Sequence, residues 1–129
     1  MAHELDLLTS PYVFDEDQAK DMARAGADIL VPHMGLTTSG TIGAKTALTL
    51  EEAAVKVQQL ADAARSVNPD ILCLCHGGPI ANPADAQYIL DHTDGIVGFY
   101  GASSIERFPT EVGIRAQTEE FKAVTFKKG

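Results

Sequence analysis

The sequence predicts an α/β fold of four parallel strands alternating with helices, a (β/α)4 unit that is half of an eight-stranded barrel. Three observations predict it. Short, continuously apolar runs alternate with longer helical ones, as in a parallel sheet covered by crossover helices. An internal repeat recurs as DILVPHMG at 28–35 and DILCLCHGG at 70–78, each opening Asp-Ile-Leu and closing with a histidine and a glycine. Finally, 129 residues hold four such units, about half of the ~250 residues of a full barrel. An open doubly wound sheet shares the pattern, because both folds gather their sites at the carboxyl edge of the strands. The unit count favours the half-barrel, with residues 1–129 as one domain.

LDLLTSPYVF reads as an extended stretch interrupted by Pro11. Asp15 is the N-cap candidate for a helix through DEDQAKDMARAGA, which has acids in its first turn and Gly26 near its end. DILVPHMG is the next strand. LTTSGTIGAKT follows it as a Gly/Thr/Ser-rich loop, long against the usual ~2–6 residues of a strand–helix connection. Thr49 caps TLEEAAVKVQQLADAARSV, whose Ala53, Ala54, Val57, Leu60, Ala61 and Ala64 recur at three- and four-residue steps. DILCLCHGG is a strand ending in glycines, and Asn82 and Pro83 introduce a helix over NPADAQYILDHT. GIVGFYGASS is the fourth strand. IERFPTEVGIRAQTEEFKAVTF gives one or two terminal helices, with Pro109 marking the break.

Apolar residues make up 45% and charged residues 22% of the chain, the composition of a soluble globular protein. No run reaches the ~18–20 apolar residues of a membrane span. The opening MAHELDLLTS lacks the basic and apolar regions of a signal peptide, so the expected location is cytoplasmic. A net charge of −8 argues against nucleic acid as a partner, since neutralising phosphates takes clustered Lys and Arg. Cys73 and Cys75 are two apart on a strand, so they share a face but stand ~6–7 Å apart along it. A disulfide there is strained. They are expected as reduced core thiols, with a metal or redox pair as the alternative.

The residues with chemistry cluster after the strands. The turn Gly101–Ser104 sits between a strand and a helix, where open N–H groups suit an anion, Ser103 or Ser104 can cap the helix or donate hydroxyls, and Arg107 lies one turn in. The preceding loop, His76, Gly77 and Gly78, is the second element of a barrel-type phosphate site. His33 and His76 stand at strand ends as general bases or as partners for a substrate carbonyl. No third ligand at a diagnostic spacing accompanies them, so no metal is expected. Counted from Asp28 and Asp70, the two histidines fall on opposite parity, which turns them to different faces unless the strand registers differ. In the long loop, Gly40 and Lys45 can bring flexibility and positive charge to an anionic substrate, although the order of a Walker A motif is absent. Glu106 is a first-turn helix acid with a possible catalytic role. His3 and His92 read as surface residues.

TSPYVFDEDQAKDMARAGADILVPHMGLTTSGTIGAKTALTLEEA, CHGGPIANPADAQYIL and GFYGASSIERFPTEVGI together resemble the TIM-barrel phosphoenolpyruvate hydrolase-like family. Its domain also forms the C-terminal part of relatives of the tomato mosaic virus resistance protein. The resemblance covers nearly the whole chain but only the last four units of the family's barrel. It implies a hydrolase or lyase acting on a small phosphorylated or carboxylated compound. It also gives weight to His33, the loop from Gly40 to Lys45, His76, Gly77, Gly78, Gly101, Ser103, Ser104, Glu106 and Arg107. Mg²⁺ enters by family analogy only, because no acidic cluster stands at the strand ends here. The alternative function is a non-catalytic ligand-binding or protein-interaction half-barrel. A lone half-barrel exposes two sheet edges and an apolar inner face, so a homodimer or higher homo-oligomer is expected.

Overall fold

The computed structural model describes residues 1–36, 48–106, 110–123 and 125. Four parallel strands form one sheet in the order β1 (Tyr12–Val13), β2 (Ile29–Pro32), β3 (Leu72–Cys75), β4 (Ile96–Phe99). Helices α1 (Glu16–Arg24), α2 (Leu50–Arg65) and α3 (Pro83–Asp91) fall between successive strands. After β4 come the short α4 (Ser103–Glu106) and α5 (Thr110–Lys122). Strand order equals chain order, and right-handed crossovers then carry each helix to the same side of the sheet. A doubly wound sheet would reverse direction at a switch point, so this topology is that of a half (β/α)8 barrel.

Local chemistry explains the helices. The Asp15 carboxylate accepts from Gln18 N at 2.8 Å and opens α1. Thr49 and Glu52 make a reciprocal capping box at the start of α2. Asn82 Oδ1 accepts from the amides of Ala84 and Asp85, with Pro83 in the first turn of α3. The helical seam is built from small residues. Ala19 and Ala23 of α1, together with Ala53, Ala54, Val57, Leu60, Ala61 and Ala64 of α2, are buried against Leu30, Cys73 and Ile96. Both cysteines are free and fully buried in this core. Burial raises both thiols, Cys75 to about 11, so they stay protonated.

The sequence reading expected a lone half-barrel to leave its inner face open, and the burial pattern agrees. Val13, Leu30, Cys73 and Cys75 are buried on the helix side, while alternate positions Tyr12, Leu72 and Val97 remain 42%, 50% and 60% exposed. The second face is the one that lines the interior of a closed barrel. At the amino edge, Asp28 accepts from Thr9 N, Thr9 Oγ1 and His3 Nε2. The Thr9 hydroxyl, then His3, holds this carboxyl well below the usual range. Among the described residues no helix is long and apolar enough to cross a membrane.

Candidate functional site

Pairing between β2 and β3 sets the site. Ile29 pairs with Leu72 and Leu30 with Cys73. Pro32 has no N–H to give, and a proline inside a sheet interrupts the ladder where it would donate. The ladder resumes beyond it, where Met34 N donates to His76 O at 2.9 Å and His33 and His76 form an isolated parallel bridge. Each histidine therefore lies four residues after a paired position, Ile29 or Leu72, and the two share a face. This corrects the expectation of opposite parity. The β3 copy of the repeat holds one more residue between its Asp-Ile-Leu and its histidine, and the sheet aligns the histidines instead of the opening triplets.

The imidazole rings stand 4.7 Å apart between centres, edge to face. Tyr12 from β1 lies stacked on His76 at 4.9 Å and 6°, meets His33 edge-on at 4.9 Å, and reaches Tyr100 at 5.9 Å. Phe14 flanks His33 at 5.0 Å. Three strands and the end of the fourth thus converge on one aromatic cluster at the carboxyl edge. Each such ring pair contributes about 0.5–1.5 kcal/mol beyond burial, so the imidazole planes are held before any ligand arrives.

Hydrogen bonds orient the rings. His76, almost fully buried, places Nδ1 2.6 Å from the Tyr100 carbonyl oxygen. Gly35 N donates to His33 Nδ1 at 3.0 Å. Burial, then the neighbouring His76, lowers the His33 pKa below its ordinary value. Burial raises the Tyr12 hydroxyl, helped by Tyr100 and by the charge of Glu106. Tyr12 and Tyr100 were not singled out in the sequence. Tyr12 was hidden inside a segment read as extended and broken by Pro11. The available signal was the placement of an aromatic residue just after the proline that starts the strand.

Gly77 and Gly78 form the floor. Both have positive φ, 75° and 60°, and both are buried. Gly78 N donates to Gly35 O at 2.8 Å, so this amide ties the β2 and β3 loops together. Tyr100 N bonds to Cys75 O at 2.9 Å, and the turn 101–104 begins directly beyond. Ala102 O accepts from Ile105 N and Glu106 N, which puts Ala102 at the cap position where a serine was expected. Ser104 Oγ is buried without a hydrogen-bond partner among the described residues. Glu106 is exposed at the end of α4. His3 and His92 are exposed, as read from the sequence. Gly40, Lys45 and Arg107 lie outside the described residues, as does the side chain of Ser103.

The donor set at this edge is imidazole and phenol. Mg²⁺ takes carboxylate, phosphate and water oxygens in octahedral geometry, and among the described residues no group of three His, Cys, Asp or Glu is placed to hold a metal. These residues do not fit Mg²⁺.

The sequence profile described as phosphoenolpyruvate hydrolase-like matches residues 1–124. The chain is 56% identical over 126 residues to the ToMV susceptible protein tm-1(GCR26) of Solanum lycopersicum. It is 55% identical over 126 residues to the ToMV resistance protein Tm-1(GCR237) of the same species. Each alignment covers 98% of this chain and 17% of the relative, so the chain spans about a sixth of the length of these curated relatives.

Proposed function

Because the chain belongs to the phosphoenolpyruvate hydrolase-like family, we propose that it supplies half of a barrel site. That site binds a small phosphorylated or carboxylated compound and moves protons on it, as a hydrolase or lyase. One observation carries this reading: two imidazoles, locked in orientation by backbone partners and by Tyr12, meet at the carboxyl edge where such barrels place their chemistry. The anionic end of the ligand lies against the turn 101–104 and the Gly77 loop, with the Ser104 hydroxyl as a donor. Lys45 and Arg107 add positive charge. The site is completed by a second copy of the chain.

Titration of the ¹⁵N-labelled chain with phosphoenolpyruvate and with inorganic phosphate tests it. The amides of Gly77, Gly101 and Ser104 and the ring signals of His33 and His76 should move together. If none of them moves with either compound, the reading fails.

The open face also supports a second reading. Leu72 and Val97 are half exposed or more, and similar proteins are named for resistance or susceptibility to ToMV. On this reading the chain is a protein-interaction module. Binding of a partner protein would then survive replacement of both histidines and be lost on replacement of Leu72 and Val97 by lysine.

A further inference from the structure

Two adjacent imidazoles usually leave open which nitrogen carries the proton, but here their partners decide it. The Tyr100 carbonyl only accepts, so His76 carries its proton on Nδ1, and in its neutral form Nε2 presents a lone pair. The Gly35 amide only donates, so His33 Nδ1 is bare and its Nε2 carries the proton. The rings are 4.7 Å apart and each Nε2 lies one ring radius from its own centre. A base and a donor therefore belong to adjoining rings set edge to face. Tyr12, stacked on one ring and edge-on to the other, keeps the two planes fixed.

A base beside a hydrogen-bond donor complements a carbonyl group with an acidic C–H next to it. We infer that His76 is the base and His33 the oxyanion donor of an enolisation, with a 2-oxo acid as the substrate class. The inference rests on the reading of this edge as a small-anion site. In the step, His76 Nε2 takes the proton from the carbon next to the carbonyl. The C–H electron pair becomes the C=C bond, and the carbonyl π pair moves onto oxygen, where His33 Nε2–H holds the enolate. Return of a proton from the His76 imidazolium to carbon restores the ketone, and nothing is consumed. An imidazole kept neutral by a lowered pKa is suited to the donor role; burial and the neighbouring His76 lower that of His33.

The experiment uses the full chain with pyruvate in D₂O, following loss of the methyl proton signal by NMR. Exchange should exceed the buffer rate by about a thousandfold or more. It should fall to the buffer rate in His76→Asn, whose side-chain amide can still donate to the Tyr100 carbonyl but has no base. In His33→Asn, which can accept from Gly35 N but lacks the distal donor, exchange should slow by about a hundredfold where that donor is fully used. If His76→Asn exchanges as fast as the unaltered chain, the inference is overturned. Pyruvate that shifts both histidine rings without exchanging overturns the enolisation and leaves the anion site standing. No shift and no exchange overturns both. Should a variant fail to fold, long-range ¹H–¹⁵N spectra of the unaltered chain decide. They must show the neutral rings protonated at Nδ1 in His76 and at Nε2 in His33, and the reverse assignment overturns the inference.

Discussion

Gly77 is held to glycine by two separate constraints. Its φ is +75°, and a Cβ there would press into the Gly35 carbonyl oxygen and come within 3.2 Å of His33 Cε1. Gly35 has φ +98° but open space around the same position. Gly35→Ala should therefore cost only the backbone term, about 1 kcal/mol, whereas Gly77→Ala adds a clash and should cost about 3 kcal/mol or more. Urea denaturation of both variants checks this, and equal losses would remove the packing argument. Gly77→Ala should also displace the His33 ring. The sequence identified His33, His76 and Gly77 as residues of interest, because each follows an apolar run at a strand's end. It could not show that the histidines touch. Parity counted from Asp28 and Asp70 pointed the other way, since register is decided by pairing across the sheet and not by the best match between repeats.

At the scale of the element, α2 is the helix most fully specified by its own residues. The Thr49 hydroxyl accepts from Glu52 N at 3.2 Å, and Glu52 reaches back to Thr49 N at 2.9 Å. At the other end Arg65 donates to the Asp94 and Gly95 carbonyl oxygens, pinning the helix to the entry of β4. Thr49→Ala removes one of the cap bonds and should lower unfolding free energy by about 1 kcal/mol. The proton-exchange rate with pyruvate should stay unchanged, because the hydroxyl removed bonds to Glu52 N and not to either histidine or its backbone partner. A chemical denaturation curve and the exchange assay read the two effects separately, and an unchanged midpoint would show that the cap contributes nothing. Caps of this kind, at Asp15, Thr49 and Asn82, were legible because they depend on residues two or three apart. The start of α4 was not, since two serines offered a cap while the true position follows from β4 pairing that extends to Tyr100.

For the whole molecule, the decisive feature is what a consecutive strand order leaves open. Among the described strands, β1 and β4 each have one neighbour, and all four run in the same direction. Two copies related by a twofold axis along the barrel would place β4 of each beside β1 of the other, with all eight strands parallel. The open face, with Leu72 and Val97 exposed to 50% and 60%, would then become interior. Light scattering should give a mass of twice 13.7 kDa, independent of dilution over the micromolar range. Val97→Lys sets a charge on the face to be buried without touching the helix-side core. It should return the mass to that of one chain while leaving the helical circular dichroism in place. A monomer before the substitution would refute closure by self-pairing. It would leave the histidine edge exposed to water, where hydrogen bonds to a developing enolate count for far less than in a dry site. Proton exchange with pyruvate should therefore be lost together with dimer mass in Val97→Lys, because a second copy laid over the open face would keep water from the side of the edge where Tyr12 is 42% exposed.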